Sequence, residues 1–189
     1  MHADALSGGF INAPHDAAHG FRAALNALSR PGRIETITGA RAPTPVSPAA
    51  ATLMLVLCDP ETPIHLAGDH DTADIRAWIA FHIGAPVTGP EPAAFALGTW
   101  QALSPLHRFS IGSAEYPDRA ATLIVETATL AQTGARLSGP GIETVAYLSL
   151  PETQAFQDNR ALFPQGLDFF LTAGDQIAGL PRSTIVEAM

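Results

Sequence analysis

The chain has 189 residues, 47% of them hydrophobic and 15% charged, with a formal net charge of −8. That balance supports a sizeable core and excludes an intrinsically disordered chain, while the negative charge excludes a general electrostatic footprint for nucleic acid. All ten basic residues are arginine, which excludes a Schiff base within this chain and a Walker-type phosphate loop, since both need lysine.

Residues 1–11 read as a loose lead-in, and 12–189 as a single α/β domain. Asn12-Ala13-Pro14 opens a helix, with proline suited to the first turn. Phe21, Leu25 and Leu28 form its apolar stripe, with Ala17, Ala18 and Ala24 beside it, and this stripe is the predicted core face. Arg30-Pro31-Gly32 stops the helix, because proline disfavours helical geometry at the preceding residue. Arg33 to Ile37 alternates, which suits a strand with one wet face. Ser47 and Pro48 supply an N-cap and a first-turn proline for a helix over Ala49–Leu57. That helix is apolar nearly all round and is predicted to be buried. Cys58, the only cysteine, follows in an apolar setting and reads as a small buried thiol; no internal disulfide can form.

Pro63 to Ala67 fits one strand. Asp71 or Thr72 caps the next helix, which carries Ile75, Trp78, Ile79 and His82 and closes at Gly84. After a proline-rich spacer, Ala93 to Gly98 fits a strand and Gln101-Ala102-Leu103 a helical turn. Two strongly apolar runs follow, Ala121–Thr127 and Ile142–Leu150. Their β-branched residues favour an extended chain, and they read as two interior strands of a covered sheet. Pro151 begins another helix, with Glu152 in its first turn, running to about Asn159 or Leu162. Leu167–Thr172 and Gln176–Leu180 read as a hairpin, antiparallel because the connection is too short for a crossover. Thr184–Glu187 is the final strand. The class is α/β, with a mixed β-sheet flanked by helices.

Between the two apolar runs, Arg136 and Ser138 stand among Gly134, Gly139 and Gly141. A glycine-rich bend beside an arginine can present backbone N–H groups and a guanidinium to an anion; the alternative is a hairpin whose arginine sits in solvent. Arg119, Arg136, Arg160 and Arg182 each stand beside a turn or an element end. Arg160 has a second explanation, the C-terminal dipole of its helix. If these ends meet at one edge of the sheet, they form a basic cleft for a phosphorylated ligand or an acidic partner surface. The candidate anion contacts are therefore Arg119, Arg136, Ser138 and Arg182, with Asp118 and Glu126 as orienting carboxylates. Glu126 lies in an apolar strand and needs a partner, for which a nearby arginine is the simplest expectation. His65, Asp69, His70 and Asp71 are metal-ligand types within seven residues. However, they fall on a loop without an H-E-x-x-H helix, so a solvated loop and no metal are expected. Neither a G-x-S-x-G elbow nor a G-x-G-x-x-G fingerprint is present. No apolar run reaches bilayer length and no leader pattern opens the chain, so a cytoplasmic protein is expected. The low charge also predicts surface covered by another chain.

Several stretches resemble one known family in order along the chain. They are F-R-A-A-L-N-A-L-S-R-P-G-R-I (Phe21 to Ile34), L-C-D-P-E-T (Leu57 to Thr62), Y-P-D-R-A-A-T-L-I-V-E (Tyr116 to Glu126), R-L-S-G-P-G-I (Arg136 to Ile142), N-R-A-L-F-P-Q-G-L-D (Asn159 to Asp168) and L-P-R-S-T (Leu180 to Thr184). The family is PhnH, a subunit of the bacterial carbon–phosphorus lyase core complex. The resemblance implies a cytoplasmic subunit of phosphonate catabolism, working with companion subunits G, I, J and L and forming a homodimer when isolated. It implies a role in the complex's first step, in which methylphosphonate displaces adenine from ATP to give α-D-ribose 1-methylphosphonate 5-triphosphate. Radical cleavage of the carbon–phosphorus bond falls to subunit J and its iron–sulfur cluster, which one cysteine could not hold here. The implied fold is similar to the large domain of pyridoxal-phosphate-dependent transferases without the cofactor, and the missing lysine agrees with that. No catalytic residue carries over. A free-standing nucleotide- or phosphonate-processing enzyme is the alternative.

Overall fold

The computed structural model describes residues 7–189. The first six residues of the expected lead-in lie outside that range, and Ser7 to Asn12 form neither helix nor strand. Five helices and nine strands follow: α1 (Ala13–Ser29), β1 (Ile34–Thr36), α2 (Pro48–Leu57), β2 (Ile64–Leu66), α3 (Ala73–His82), β3 (Phe95–Thr99), α4 (Trp100–Leu103), β4 (Thr122–Glu126), β5 (Ala135–Ser138), β6 (Ala146–Leu148), α5 (Gln154–Ala161), β7 (Asp168–Ala173), β8 (Gln176–Leu180) and β9 (Ile185–Glu187). The boundaries follow local chemistry. Ser47 caps α2 by accepting from the Ala50 N–H, and Thr72 caps α3 by accepting from the Ile75 N–H. Asp71, the other candidate cap, pairs with Arg76 instead.

Six strands form a mixed sheet in the order β1-β8-β7-β4-β3-β2. β2, β3, β4 and β7 are parallel; β8 and β1 continue the sheet antiparallel. Side chains alternate between two cores. Leu97, Ile124, Phe170 and Ile177 point into a core shared with α1, α2 and α3. Ala96, Leu123, Val125, Phe169 and Leu171 point the other way, onto Leu103, Phe109, Leu137, Leu148 and Phe156. β4 is central and buried on both faces, as a covered interior strand requires. Cys58 is buried, and burial pushes its thiol up to about 12, so it stays protonated and unreactive at neutral pH.

Three expectations are corrected. First, the most buried face of α1 is Gly20, Ala24 and Ala27; of the expected stripe Leu28 packs on the core, as does Ala24 beside it, whereas Phe21 and Leu25 are 52% and 56% exposed. The reason is close approach: a Cβ on Gly179 of β8 would lie 2.6 Å from the Ala27 backbone, and one on Gly20 would lie 2.9 Å from Thr52 Cγ2 of α2. Only small residues fit against both neighbours. Second, the run from Ile142 to Leu150 is not an interior strand of the main sheet. Its strand is β6 alone, paired with β5 in a separate antiparallel sheet of order β6-β5-β9. Gly141, at φ +82°, is backed against the Ser29 carbonyl, so the chain bends there and extends only from Ala146. The supposed connection over Ala135–Ser138 is itself a strand. Third, Glu152 precedes α5, which starts at Gln154.

Candidate functional site

The four parallel strands end at one edge, the place where ligands bind in open α/β sheets. Glu126 terminates β4 there. Its Oε1 accepts the Ser47 N–H at 2.7 Å, and its Oε2 accepts the Thr172 hydroxyl at 2.9 Å. The carboxylate thus sits at the N-terminus of α2, where free N–H groups and the helix dipole favour negative charge. No arginine is needed to hold it, contrary to the simplest expectation for a carboxylate in an apolar strand. A cleft of about 450 Å³ opens beside it, walled by Thr99, Trp100, Thr127, Ser149 and Leu150. Among the described residues no cationic side chain lines this cleft. It can accept hydrogen bonds from a hydroxyl or amino group and cover an apolar face, but a phosphate there would meet a carboxylate without countercharge.

His70 follows β2 at the same edge, in the turn Gly68–His70. It is 3% exposed, and neither ring nitrogen has a hydrogen-bond partner. Burial lowers its pKa, and the nearby carboxylates of Glu126 and Asp69 oppose that shift. Asp69 stays beside His70, and the two remaining members of the suspected metal cluster have other partners. His65 Nδ1 lies 3.0 Å from the Thr88 carbonyl, and Asp71 holds Arg76. Among the described residues no three histidine, cysteine or acidic side chains are grouped to hold a metal ion.

The predicted anion contacts lie elsewhere. Arg182 donates to both oxygens of Asp168 and to the Pro117 carbonyl, and its side chain is only 12% exposed. The Pro117–Arg119 turn brings Asp118 and Arg119 to this same end of the sheet, before β4 begins. The Arg119 guanidinium lies 4.1 Å from the centroid of the Tyr116 ring and has no carboxylate partner among the described residues. Arg136 and Ser138 are on β5, in the small sheet. Arg136 stands opposite Glu187 of β9 and forms an ion pair with it, while Ser138 stands opposite Ile185. Glu126 is at the far end of β4 from Arg119. The structure therefore groups Asp118, Arg119 and Arg182, and separates Arg136, Ser138 and Glu126 from them. Sequence reasoning missed Asp168, the partner of Arg182, and Thr172, the partner of Glu126. A polar residue at each end of an otherwise apolar strand was the available signal for both.

A family model for the bacterial phosphonate metabolism protein PhnH matches residues 8–187. The α-D-ribose 1-methylphosphonate 5-triphosphate synthase subunit PhnH of Rhizobium meliloti strain 1021 is 37% identical, over 96% of this chain and 95% of that protein. The putative C-P lyase subunit protein HtxG of Stutzerimonas stutzeri is 28% identical, over 87% of this chain and 82% of its own length. Among the described residues no helix is long and apolar enough to cross a membrane. The chain belongs to the PhnH family of bacterial phosphonate metabolism proteins.

Proposed function

We propose that the chain is the corresponding subunit of a carbon–phosphorus lyase assembly. There it supports formation of α-D-ribose 1-methylphosphonate 5-triphosphate and adenine from ATP and methylphosphonate. The observation that carries this role is the match along 96% of the chain to a subunit so named. The geometry favours a supporting role over a free-standing active site. Arg136 and Arg182 already serve Glu187 and Asp168, and the cleft beside Glu126 carries no cation for a triphosphate. Arg119, with no carboxylate partner among the described residues, is the candidate contact left for an anion. The proposal includes a cytoplasmic location, companion subunits G, I, J and L, self-pairing of the isolated chain, and one domain over residues 12–189. It also includes a fold like the large domain of pyridoxal-phosphate-dependent transferases. Four adjacent parallel strands with helices over one face support that last element.

The test is reconstitution. Subunits G, I and L are incubated with ATP and methylphosphonate, with and without this chain, and adenine release is followed. Release that requires the chain, with none from the chain alone, is expected. Adenine release by the isolated chain, or full activity in its absence, would overturn the role.

A further inference from the structure

Building on that subunit role, we infer that the groove between the 104–111 segment and α5 docks a companion subunit through a segment pairing an apolar anchor with a lysine or arginine. The groove has a volume of about 430 Å³, within the range of sites that enclose a bound group (roughly 300–1,000 Å³). Leu106 and Ile111 form one wall, Ala155 and Leu162 the other, and the buried Leu167 lies beneath. The apolar surface continues outside it. Leu162 is 44% exposed and the adjoining Phe163 50% exposed. Burying such a surface against another protein removes it from water, a gain that is set against the costs of association.

The rim decides the chemistry of the occupant. Glu152 and Asp158 line the groove and are exposed. Glu152 Oε1 accepts from Trp100 Nε1 at 3.0 Å, and Asp158 Oδ1 accepts from Gln154 Nε2 at 2.8 Å. Neither takes part in an ion pair among the described residues. Two uncompensated carboxylates repel a phosphonate or a triphosphate and attract a cation. At the outer end the sign reverses, because the Arg160 guanidinium stacks over Phe163 at 4.7 Å and has no carboxylate partner among the described residues. An apolar centre, a charged rim and an arginine–aromatic pair are the composition of protein interfaces. The extension over Leu162 and Phe163 goes beyond what a small ligand in the groove would cover, which favours a protein segment over a small organic cation.

The experiment is assembly with companion subunits by affinity co-purification, at low and high salt, using this chain as wild type, Leu162→Asp, Asp158→Arg and Leu25→Asp. Leu25 is exposed on α1, away from the groove, and serves as the control. Thermal melts establish that each variant is folded, and sedimentation gives the oligomeric state of each variant alone. The expected result is at least tenfold weaker retention of Leu162→Asp and of Asp158→Arg. Leu25→Asp is retained like wild type, and added salt weakens the wild-type complex. Full retention of folded Asp158→Arg and Leu162→Asp overturns the inference while leaving the subunit role intact. A loss of self-association in these variants, with assembly unchanged, assigns the groove to a second copy and also overturns it. Wild type that fails to assemble at all overturns the subunit role, and the docking proposal with it.

Discussion

The two ends of the parallel strands solve the same problem differently. At the carboxyl end a single acidic side chain, Glu126, is held by a backbone N–H at the start of α2 and by the Thr172 hydroxyl. At the amino end an arginine, Arg182, is held by Asp168 and the Pro117 carbonyl. One end uses the fixed dipole of a helix and the other a partly buried side-chain ion pair. A carboxylate at a helix N-terminus needs no cation, so the carboxyl end keeps a cleft without positive charge. The amino end brings Arg119 and Arg182 together, and among the described residues Arg119 lacks an acidic partner.

Glu126→Ala tests the first half of that contrast and has the largest expected effect. It strips an acceptor from Ser47 N–H and from Thr172, two bonds to a charged group, and is expected to lower stability by about 3 kcal/mol in urea unfolding. A loss below about 1 kcal/mol would mean that the carboxylate is not what anchors the start of α2. Arg182→Ala comes next. It leaves Asp168 partly buried and unpaired and is expected to cost about 2 kcal/mol. If it costs nothing but weakens binding of ATP or of a companion subunit, Arg182 is a ligand contact rather than a structural one.

His70 sharpens the comparison through pH. Its pKa is lowered in the folded protein from 6.5, so below that pH the unfolded chain binds more protons than the folded one. Stability is therefore expected to fall as pH drops from 6.5, by at most about 1.4 kcal/mol per pH unit. His70→Leu should flatten that slope, measured by urea midpoints between pH 7 and pH 5. A variant as acid-sensitive as wild type would place the effect on other groups. Arg136→Ala has the smallest expected effect, below about 1 kcal/mol, because its pair with Glu187 is 40% and 52% exposed. A cost equal to that of Arg182→Ala would erase the distinction drawn between the two arginines.

Where local chemistry decides structure, the sequence was legible. Ser47-Pro48 marked the start of α2, Arg30-Pro31-Gly32 the end of α1, and the continuous apolar, β-branched run from Ala121 to Thr127 a covered strand. Where long-range packing decides, it was not. The Phe21–Leu25 stripe was the more apolar face of α1, yet Gly179 and Thr52 admit only the small-residue face. β5 is four residues between glycines. The alternation of buried Ala135 and Leu137 with Arg136 and Ser138 was its only signal. The candidate site divided in the same way. The residue types were readable, but the partners Asp168, Glu187 and Ser47 lie 14, 51 and 79 positions from the groups they serve, beyond the reach of spacing arguments.

The seating of α1 on Gly179 bears on how the protein folds. Ile34 to Thr36 pair with Gln176 to Ala178, far along the chain from α1 and β1. Until that pairing forms, the Gly20–Ala24–Ala27 face has no strand to close on. Such non-local closure slows folding and leaves α1 waiting. A chain truncated before residue 176 would thus lose its hold on β1 and α1, and limited proteolysis should find the first cuts in α1.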